Sequence, residues 1–218
     1  MNFEVVTSID DPLFKKALEM YEDIFKAEVR EDRHVFIHSL TSEYIKKHYI
    51  FLVGLIDDTV VSLSTGHYEP TTNSAFIIYL MTHPEYRNQR VGGQTLERIE
   101  TELHKHAQDV HGRDANMIML ESFGEESYEN NSGKEEAILR KNFFNRHGYE
   151  VQQDIPYIQP NPQKSLAPTP IDLYIKQYLP LQKDVISPSI RSCYINKYIH
   201  GNENNREFVY ELLESMDL

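Results

Sequence analysis

Runs of hydrophobic residues along the chain predict a set of buried strands. Tyr49–Ile56 and Val60–Tyr68 flank the turn Asp57–Asp58, which is the pattern of a β-hairpin. Two further apolar runs, Phe76–Met81 and Met117–Glu121, are also predicted to be strands. These four runs predict the centre of a sheet.

Helical spacing of hydrophobic residues predicts the elements around this sheet. The residues Leu96, Ile99, Leu103 and Ala107 recur at helical intervals after the third run. A helix is also expected to begin at Asp11-Pro12 and end near Lys26, with an inner stripe of Leu13, Ala17, Met20 and Ile24. The remaining predicted elements are strands at Phe3–Thr7, Tyr149–Gln152 and Ile171–Ile175 and helices at His34–Lys47, Glu135–Arg146, Ser187–His200 and Asn205–Met216.

Two segments are predicted to lack regular structure. Phe123–Lys134 is rich in Gly, Ser, Asn and Glu, a composition typical of loops. Prolines recur from Pro156 to Pro170, which predicts an extended connector. In the helix between these segments, Leu139 and Phe143 are expected to pair at i,i+4, and Gly148 is expected to end it.

Composition and charge narrow the class of protein. The formal net charge of -12 argues against broad nucleic-acid binding and favours a cationic partner. The apolar run Tyr49–Ile56 is too short to span a membrane, and the first residues do not resemble a signal peptide. Cys193 is the single cysteine, which suits a reducing cytoplasm. We therefore expect a cytoplasmic protein that binds neither nucleic acid nor membrane.

The turn after Phe76–Met81 has the chemistry of a pyrophosphate site. It reads Arg87-Asn88-Gln89-Arg90-Val91-Gly92-Gly93 and opens directly into a helix. The first N–H groups of a helix have no intrahelical partner, the helix dipole is positive there, and glycine lets a ligand approach the backbone. The segment therefore predicts a phosphorylated cofactor.

With these motifs the chain resembles the GCN5-related N-acetyltransferase (GNAT) superfamily. Arg87, Arg90 and Gly92 occupy the three signature positions of the family's cofactor loop, with Arg90 in place of its first glycine, and His83–Tyr86 is a common lead-in. Arg146–Tyr149 resembles the family's later helix-to-strand turn. The resemblance covers roughly residues 3–155 and extends to 171–176, and the terminal helices lie outside it. It implies an α/β fold with a twisted, mixed central sheet flanked by helices, in which the fifth strand splays from the fourth.

The domain organisation expected from this resemblance has two parts. Residues 1–180 form a GNAT-like acetyltransferase domain. Residues 181–218 form a C-terminal extension of two helices that packs on it. The terminal helices are also a candidate surface for a homodimer.

The resemblance also implies acetyl-CoA as the cofactor. The end of the fourth strand would hold the pantetheine arm, and N–H groups of the loop would hold the pyrophosphate. Phe144 replaces the tyrosine that protonates the departing thiolate in many members. The implied cofactor-binding residues are Leu80, Met81, Thr82, Arg87, Asn88, Gln89, Arg90, Val91, Gly92, Gly93, Gln94 and Phe144.

Three residues are candidates for catalysis, and each has an ordinary structural alternative. Glu121 ends the fifth strand and could accept the amine proton through water, or it is a solvated strand-end carboxylate. Glu69, with His67, could face the acceptor from the hairpin, or the two form a surface pair beside a turn. His83 lies nearest the motif, where it could also simply orient the turn before Pro84.

Other reactive side chains have weaker support. His34 and His38 have a zinc-ligand spacing on one helix, but no third ligand is evident, so no metal site is predicted. Tyr128 in the predicted loop is a substitute acid or a packed surface residue. Cys193 is interpreted as a small core residue.

These observations predict an N-acetyltransferase that moves an acetyl group from acetyl-CoA to a primary amine of a small molecule or peptide. The transfer would be direct, in a ternary complex, because no covalent nucleophile is supported. One alternative is a non-catalytic acyl-CoA-binding regulatory module, and another is an interaction protein that uses its terminal helices.

Overall fold

The computed structural model describes residues 1–25, 30–161, 167–181 and 183–218. Its strands are β1 Asn2–Val5, β2 Tyr49–Ile56, β3 Thr59–Glu69, β4 Ser74–Thr82, β5 Met117–Ser122, β6 Glu150–Val151, β7 Ile158–Gln159, β8 Thr169–Pro170 and β9 Asp172–Gln177. The α-helices are α1 Pro12–Ile24, α2 Arg33–Thr41, α3 Val91–His111, α4 Asn131–Arg146, α5 Lys183–Ile195 and α6 Arg206–Ser215. A π-helical segment, Asn196–Gly201, continues α5.

A seven-stranded sheet of order β1-β2-β3-β4-β5-β9-β6 forms the centre of the fold. The predicted hairpin is confirmed: β2 and β3 pair antiparallel around Asp57 and Asp58, whose φ angles of 47° and 63° are left-handed. β4 and β5 pair in parallel and are joined by α3, whereas the other neighbouring strands are antiparallel. The mixed α/β fold predicted from the sequence is therefore confirmed.

Both faces of the sheet are covered by helices. On β4, Ala75 and Ile77 pack into the core beneath α3, while Phe76 packs on the other side with residues of α5 and α6. The other face also carries α1 and α2, which pack over residues such as Phe51. Because side chains alternate along a strand, every central strand contributes to cores on both faces.

The parallel pair β4 and β5 opens toward its carboxyl end. Pairing extends from Ser74 and Met117 to Ile77 and Leu120 and stops there, although both strands continue. At the same level, Thr65 pairs with Tyr79 and Gly66 with Ile77, so Ile78 is the extra residue of a β-bulge. The splay expected from the family resemblance is present between these strands.

Helix α1 buries a stripe that differs from the predicted one. Ala17 and Met20 are buried as expected, but Leu13 and Ile24 are only partly buried, and the inner face also includes Phe14, Leu18 and Tyr21. The aromatic rings of Phe14 and Tyr21 reach farther into the core than the predicted residues, which rotates the buried face. The described helix ends at Ile24, and Lys26 lies outside the described residues.

Helix α2 is shorter than predicted. It ends at Thr41 because Ser42 adopts an extended conformation, with ψ at 125°, and residues 43–47 form turns. The prediction of a helix to Lys47 was wrong, since the apolar Ile45 is buried from a turn rather than from a helix.

Helix α4 begins earlier than predicted. Asn130 caps it by accepting a hydrogen bond from the Gly133 N–H at 2.7 Å, so the last part of the predicted loop is helical. Leu139 is 67% exposed and makes no core pair with Phe143, because Ala137 and Phe144 occupy the buried positions. The turn at Gly148 is confirmed by its φ of 85°.

The C-terminal elements cover the β4, β5 and β9 side of the sheet. Ile190, Tyr194, Tyr198, Val209 and Leu213 are buried there with residues of these strands. Ahead of them, β7 and β8 pair in the proline-rich connector, whose residues 162–166 lie outside the described ranges. Within those ranges, no helix combines the length and the apolarity that a bilayer crossing needs. We propose that residues 181–218 act as an extension of the domain formed by residues 1–180.

Candidate active site

The loop between β4 and α3 presents backbone N–H groups at a helix N-terminus. Asn88 and Arg90 both adopt left-handed backbone conformations, with φ of 63° and 64°. The N–H of Gln94 donates to the Arg90 carbonyl at 3.1 Å, so the N–H groups of Val91, Gly92 and Gly93 precede this turn of the helix. The side chains of Arg87 and Arg90 are exposed, and this end of α3 is therefore ready to bind an anion.

Glycines keep the surface of this helix N-terminus open. A Cβ atom at Gly92 would lie 3.4 Å from the Thr82 Oγ1 and 3.8 Å from the Phe143 ring. A Cβ atom at Gly93 would lie 3.4 Å from the His147 ring. An added Cβ atom would thus be in ordinary van der Waals contact with the end of β4 and with residues at the end of α4, and the glycines leave this space open.

Of the predicted cofactor residues, those of the strand end and the loop are continuous along the chain, whereas the Phe144 ring is buried in the core. Leu80, Met81 and Thr82 end β4 and lead into the loop at residues 87–94. The Phe144 ring is 8% exposed and packs against Tyr149 and Tyr174. The neighbouring Phe143 ring is the one that approaches Gly92.

His83 has a structural contact at the start of the loop. Its Nδ1 accepts the Glu85 N–H at 3.4 Å, at the beginning of a short 3₁₀ helix, Pro84–Tyr86. Its ring meets that of Tyr86 edge-on, with centroids 5.8 Å apart. These contacts match the turn-orienting role considered from the sequence.

Glu121 lies at the end of β5, as predicted, but water does not reach it. Its carboxylate accepts hydrogen bonds from the Lys197 ammonium and, at 2.6 Å, from the Tyr198 hydroxyl. The side chains of Lys197 and Glu121 are 6% and 4% exposed. The solvated strand-end carboxylate considered from the sequence is therefore wrong, because the π-helical segment covers this side of the strand.

A narrow cavity lies beside this ion pair, between α2, the sheet and the π-helical segment. Its size leaves room for about one water molecule. Among the described residues, polar atoms of Glu31, Thr65, His67 and Asn196 are buried without a hydrogen-bond partner, and all four residues line the cavity. Buried polar atoms without partners are uncommon in folded proteins, so this cavity is a candidate ligand pocket.

The electrostatics of the pocket are set mainly by burial. Burial raises the pKa of Glu31, while the Lys197 ammonium and the Asn202 side chain lower it. The Asn202 amide donates to the Glu31 Oε1 at 2.6 Å. Burial, and secondarily the Lys197 ammonium, lowers the pKa of His67 to about 3, so this imidazole is neutral at physiological pH.

The lowered pKa of His67 predicts a loss of stability in mild acid. An unfolded histidine gains a proton as the pH falls through its ordinary pKa of 6.5, whereas folded His67 does not until about pH 3. The contribution of His67 to the free energy of unfolding is therefore complete above pH 6.5. Below that pH it falls by about 1.4 kcal/mol per pH unit, which amounts to about 2 kcal/mol by pH 5.

Urea unfolding at pH 7 and pH 5 should show that His67→Gln loses less free energy of unfolding between the two pH values than the unmodified protein does. Equal losses would contradict the neutral, buried imidazole. Glu31 titrates in both proteins and cancels in the comparison.

Glu69 is buried near the π-helical segment, and most of its hydrogen bonds are to the nearby Thr71. One of its carboxylate oxygens accepts from the Thr71 N–H at 3.0 Å and from the Thr71 hydroxyl at 2.6 Å. The other accepts from the Asn196 side chain at 3.4 Å. Glu69 and His67 are 7% and 2% exposed, so the alternative of a surface pair is wrong for both.

The sequence did not identify Lys197, which lines this pocket, or Tyr198, which contacts Glu121 beside it. Lys197 and Tyr198 belong to a predicted terminal helix whose docking site has no local sequence signal. Glu31 was not identified either. It directly follows Arg30, and a charged residue in such a stretch does not by itself indicate a buried site. Tyr128, considered as a substitute acid, accepts a hydrogen bond from Arg140 at 3.0 Å, away from this cavity.

Comparison with known proteins agrees with this architecture. The acetyltransferase (GNAT) family profile matches residues 14–121, about half of the chain. This stretch contains the splayed strands, the loop and α3. The chain belongs to the GNAT family of acetyltransferases, which is a family of enzymes that use acyl-CoA. Among curated proteins, none matches the sequence.

Solved structures share the fold at low sequence identity. A GNAT-family protein from Bacteroides thetaiotaomicron has a TM-score of 0.67 at 19% identity, covering 92% of this chain and 99% of its own. An acetyltransferase of the GNAT family from Staphylococcus aureus Mu50 has a TM-score of 0.54 at 13% identity, with coverages of 82% and 100%. Escherichia coli ElaA has a TM-score of 0.53 at 13% identity, with coverages of 81% and 100%. These similarities concern the fold alone.

Proposed function

We propose that the protein is an acetyl-CoA-dependent N-acetyltransferase that transfers the acetyl group directly to a cationic primary amine. One observation carries this proposal: strand β4 leads into the basic loop and also borders the buried pocket. Its end leads into the basic, glycine-containing loop, while Ile78 and Tyr79 line the buried acidic pocket. A cofactor on one side of the strand and an acceptor on the other would meet at the opening between β4 and β5.

The loop fits the pyrophosphate of acetyl-CoA. The N–H groups of Val91, Gly92 and Gly93 would bind the phosphate oxygens, with the exposed Arg87 and Arg90 close in sequence to add positive charge. Leu80, Met81 and Thr82 would line the pantetheine arm. Acetyl-CoA supplies the acetyl group as a reactive thioester.

The pocket fits an alkylammonium group. Glu31 and Glu121 are both buried beside it, and Lys197 is the cation that contacts Glu121. The Lys197 ammonium also lies 5.2 Å from the centroid of the Phe76 ring, a cation–π contact. We infer that Lys197 occupies the position of the acceptor ammonium, in the manner of an internal substrate analogue.

Acceptor binding would require this segment to move. The present cavity admits about one water molecule, which is too little for an amine substrate. The segment that closes it is π-helical. This conformation is rare in proteins, and where it occurs it often lies at a functional site. Withdrawal of Lys197 with this segment would open the pocket and leave the Glu121 carboxylate for the incoming amine.

The chemistry then needs a proton acceptor. A lysine-like amine has a pKa of about 10.4 and must lose a proton before its nitrogen can attack. Glu121 is the proposed acceptor of that proton, and the neutral His67 has an unpaired ring nitrogen that lines the same pocket. The N–C bond forms as the C–S bond breaks, and the sulfur leaves as the thiolate of CoA. Phe144 has no proton to give this thiolate.

A panel of amines tests the proposal. Release of the CoA thiol should occur with cationic primary amines and not with anionic ones, because the carboxylates of Glu31 and Glu121 lie in and beside the pocket. Glu31→Gln keeps the hydrogen bond to Asn202 but removes the charge, and it should raise the KM for the amine about tenfold or more. The control Glu125→Gln changes an exposed carboxylate and should leave KM unchanged. Equal KM values in both variants would remove Glu31 from the acceptor site.

A non-catalytic acyl-CoA-binding module is the second candidate. The closed pocket favours this candidate. So does Phe144, which stands where many members of the family have a tyrosine. Tight binding of acetyl-CoA without thiol release over the whole amine panel would support this function instead. The single cysteine and acidic charge support a cytoplasmic location for either function.

A further inference from the structure

Two histidines and a glutamate from distant parts of the chain meet on the surface beside the pocket. His34 and His38 lie one turn apart on α2, with ring centroids 6.0 Å apart. The His34 Nε2 lies 3.0 Å from a carboxylate oxygen of Glu203. Ligand atoms of all three residues lie within 4.8 Å of one another. His34 and His38 have a metal-ligand spacing along the sequence, and the fold brings Glu203 to them as the third group.

The backbone around Glu203 is fixed by contacts that do not involve the histidines. The Asn202 N–H donates to the Lys197 carbonyl at 2.9 Å, and the Asn204 N–H donates to the Tyr198 carbonyl at 2.9 Å. Glu203 itself has a left-handed φ of 53°. A carboxylate on an ordered turn loses less conformational entropy on binding a ligand than one on a mobile tail.

We propose that His34, His38 and Glu203 bind a zinc ion. Imidazole nitrogen and carboxylate oxygen are ordinary zinc ligands, and three protein ligands leave a fourth position for water. The contact of 3.0 Å between His34 and Glu203 would be replaced by two bonds of about 2.0–2.2 Å to the metal. The side chains of His34 and Glu203 are 65% and 51% exposed, so a metal ion can reach them from solvent.

To bind zinc, His38 would give up its present hydrogen bond. Its Nε2 lies 3.0 Å from the His200 carbonyl oxygen, at the end of the π-helical segment. Zinc would take this nitrogen in exchange for that hydrogen bond. The ion would then join α2 to the residues that directly follow the Lys197 segment, and binding would stabilise that attachment by mass action.

Metal titration of the untagged chain tests the proposal, since a polyhistidine tag would itself bind zinc. After treatment with a chelator, the protein should bind one equivalent of Zn²⁺ by calorimetry, and Co²⁺ should give the visible absorption of a tetrahedral site. His34→Gln, His38→Gln and Glu203→Gln should each weaken Zn²⁺ binding about tenfold or more. The control His111→Gln removes an exposed histidine elsewhere and should leave the affinity unchanged.

A second measurement separates a specific site from adventitious binding. Zn²⁺ should raise the thermal midpoint of the unmodified protein and of His111→Gln but not that of His38→Gln. Circular dichroism of the metal-free variants will show that they are folded. Absence of stoichiometric binding, or binding that the His34 and His38 substitutions leave unchanged, would overturn the proposal. These zinc-binding measurements do not depend on the proposed acetyl transfer, because neither of them uses acetyl-CoA.

Discussion

Lys197→Met is expected to lower the free energy of unfolding by about 3–5 kcal/mol, because it leaves a buried carboxylate without its counter-ion. Lys197 and Glu121 are almost completely buried, and the Tyr198 hydroxyl is the further partner of the same oxygen. Methionine fills a similar volume, so most of the effect should come from the lost charge. The loss would show how strongly the π-helical segment depends on this pair.

Urea unfolding of three variants measures this effect. Lys197→Met should shift the midpoint strongly, whereas the double variant Lys197→Met/Glu121→Gln should recover much of the loss because the Glu121 carboxylate is removed together with its counter-ion. The control Lys105→Met removes the exposed partner of Glu102, and its effect should stay within about 1 kcal/mol. A small effect of Lys197→Met, similar to that of the control, would contradict the buried ion pair.

Gly92→Asp is expected to weaken the binding of CoA about 100-fold. The new carboxylate would lie at the first turn of α3, where it repels the pyrophosphate and competes for the same N–H groups. The loss of a charge-assisted hydrogen bond, about 1.5–3 kcal/mol, accounts for most of that factor. An acidic residue in a first helical turn is otherwise favourable, so the free energy of unfolding should change little.

Calorimetric titration with CoA checks this prediction. Gly92→Ala is the matched control, since its Cβ atom would lie 3.4 Å from the Thr82 Oγ1 without adding charge. Its affinity should fall much less than that of Gly92→Asp. If Gly92→Asp bound CoA as tightly as the unmodified protein, the pyrophosphate would have to lie elsewhere.

The central fold could be predicted from sequence because its signals are local. The hairpin, the run from β4 through the loop to α3, and the glycine turn after α4 each carry their own pattern of apolar residues and turn residues. The buried face of α1 was predicted less well, since the large rings of Phe14 and Tyr21 decide its rotation. That choice depends on packing against the sheet, which periodicity alone does not describe.

The environment of Glu121 could not be predicted, although its position at the end of β5 was. Its partner Lys197 is separated from it by 76 residues, and the contact forms only when the terminal helices dock on the sheet. The same holds for Glu203, which lies 169 residues from His34. Contacts of this kind depend on how the helices pack on a face of the sheet. A single sequence does not show that packing.

Transfer of an isotopically labelled acetyl group tests the central claim most directly. The protein would be incubated with labelled acetyl-CoA and a cationic primary amine, and mass spectrometry would locate the label. Our account predicts that the label appears on the amine in proportion to the CoA released, and that Gly92→Asp strongly lowers this transfer when acetyl-CoA is not saturating. Tight binding of acetyl-CoA with the label remaining on CoA, for every amine offered, would contradict a catalytic role.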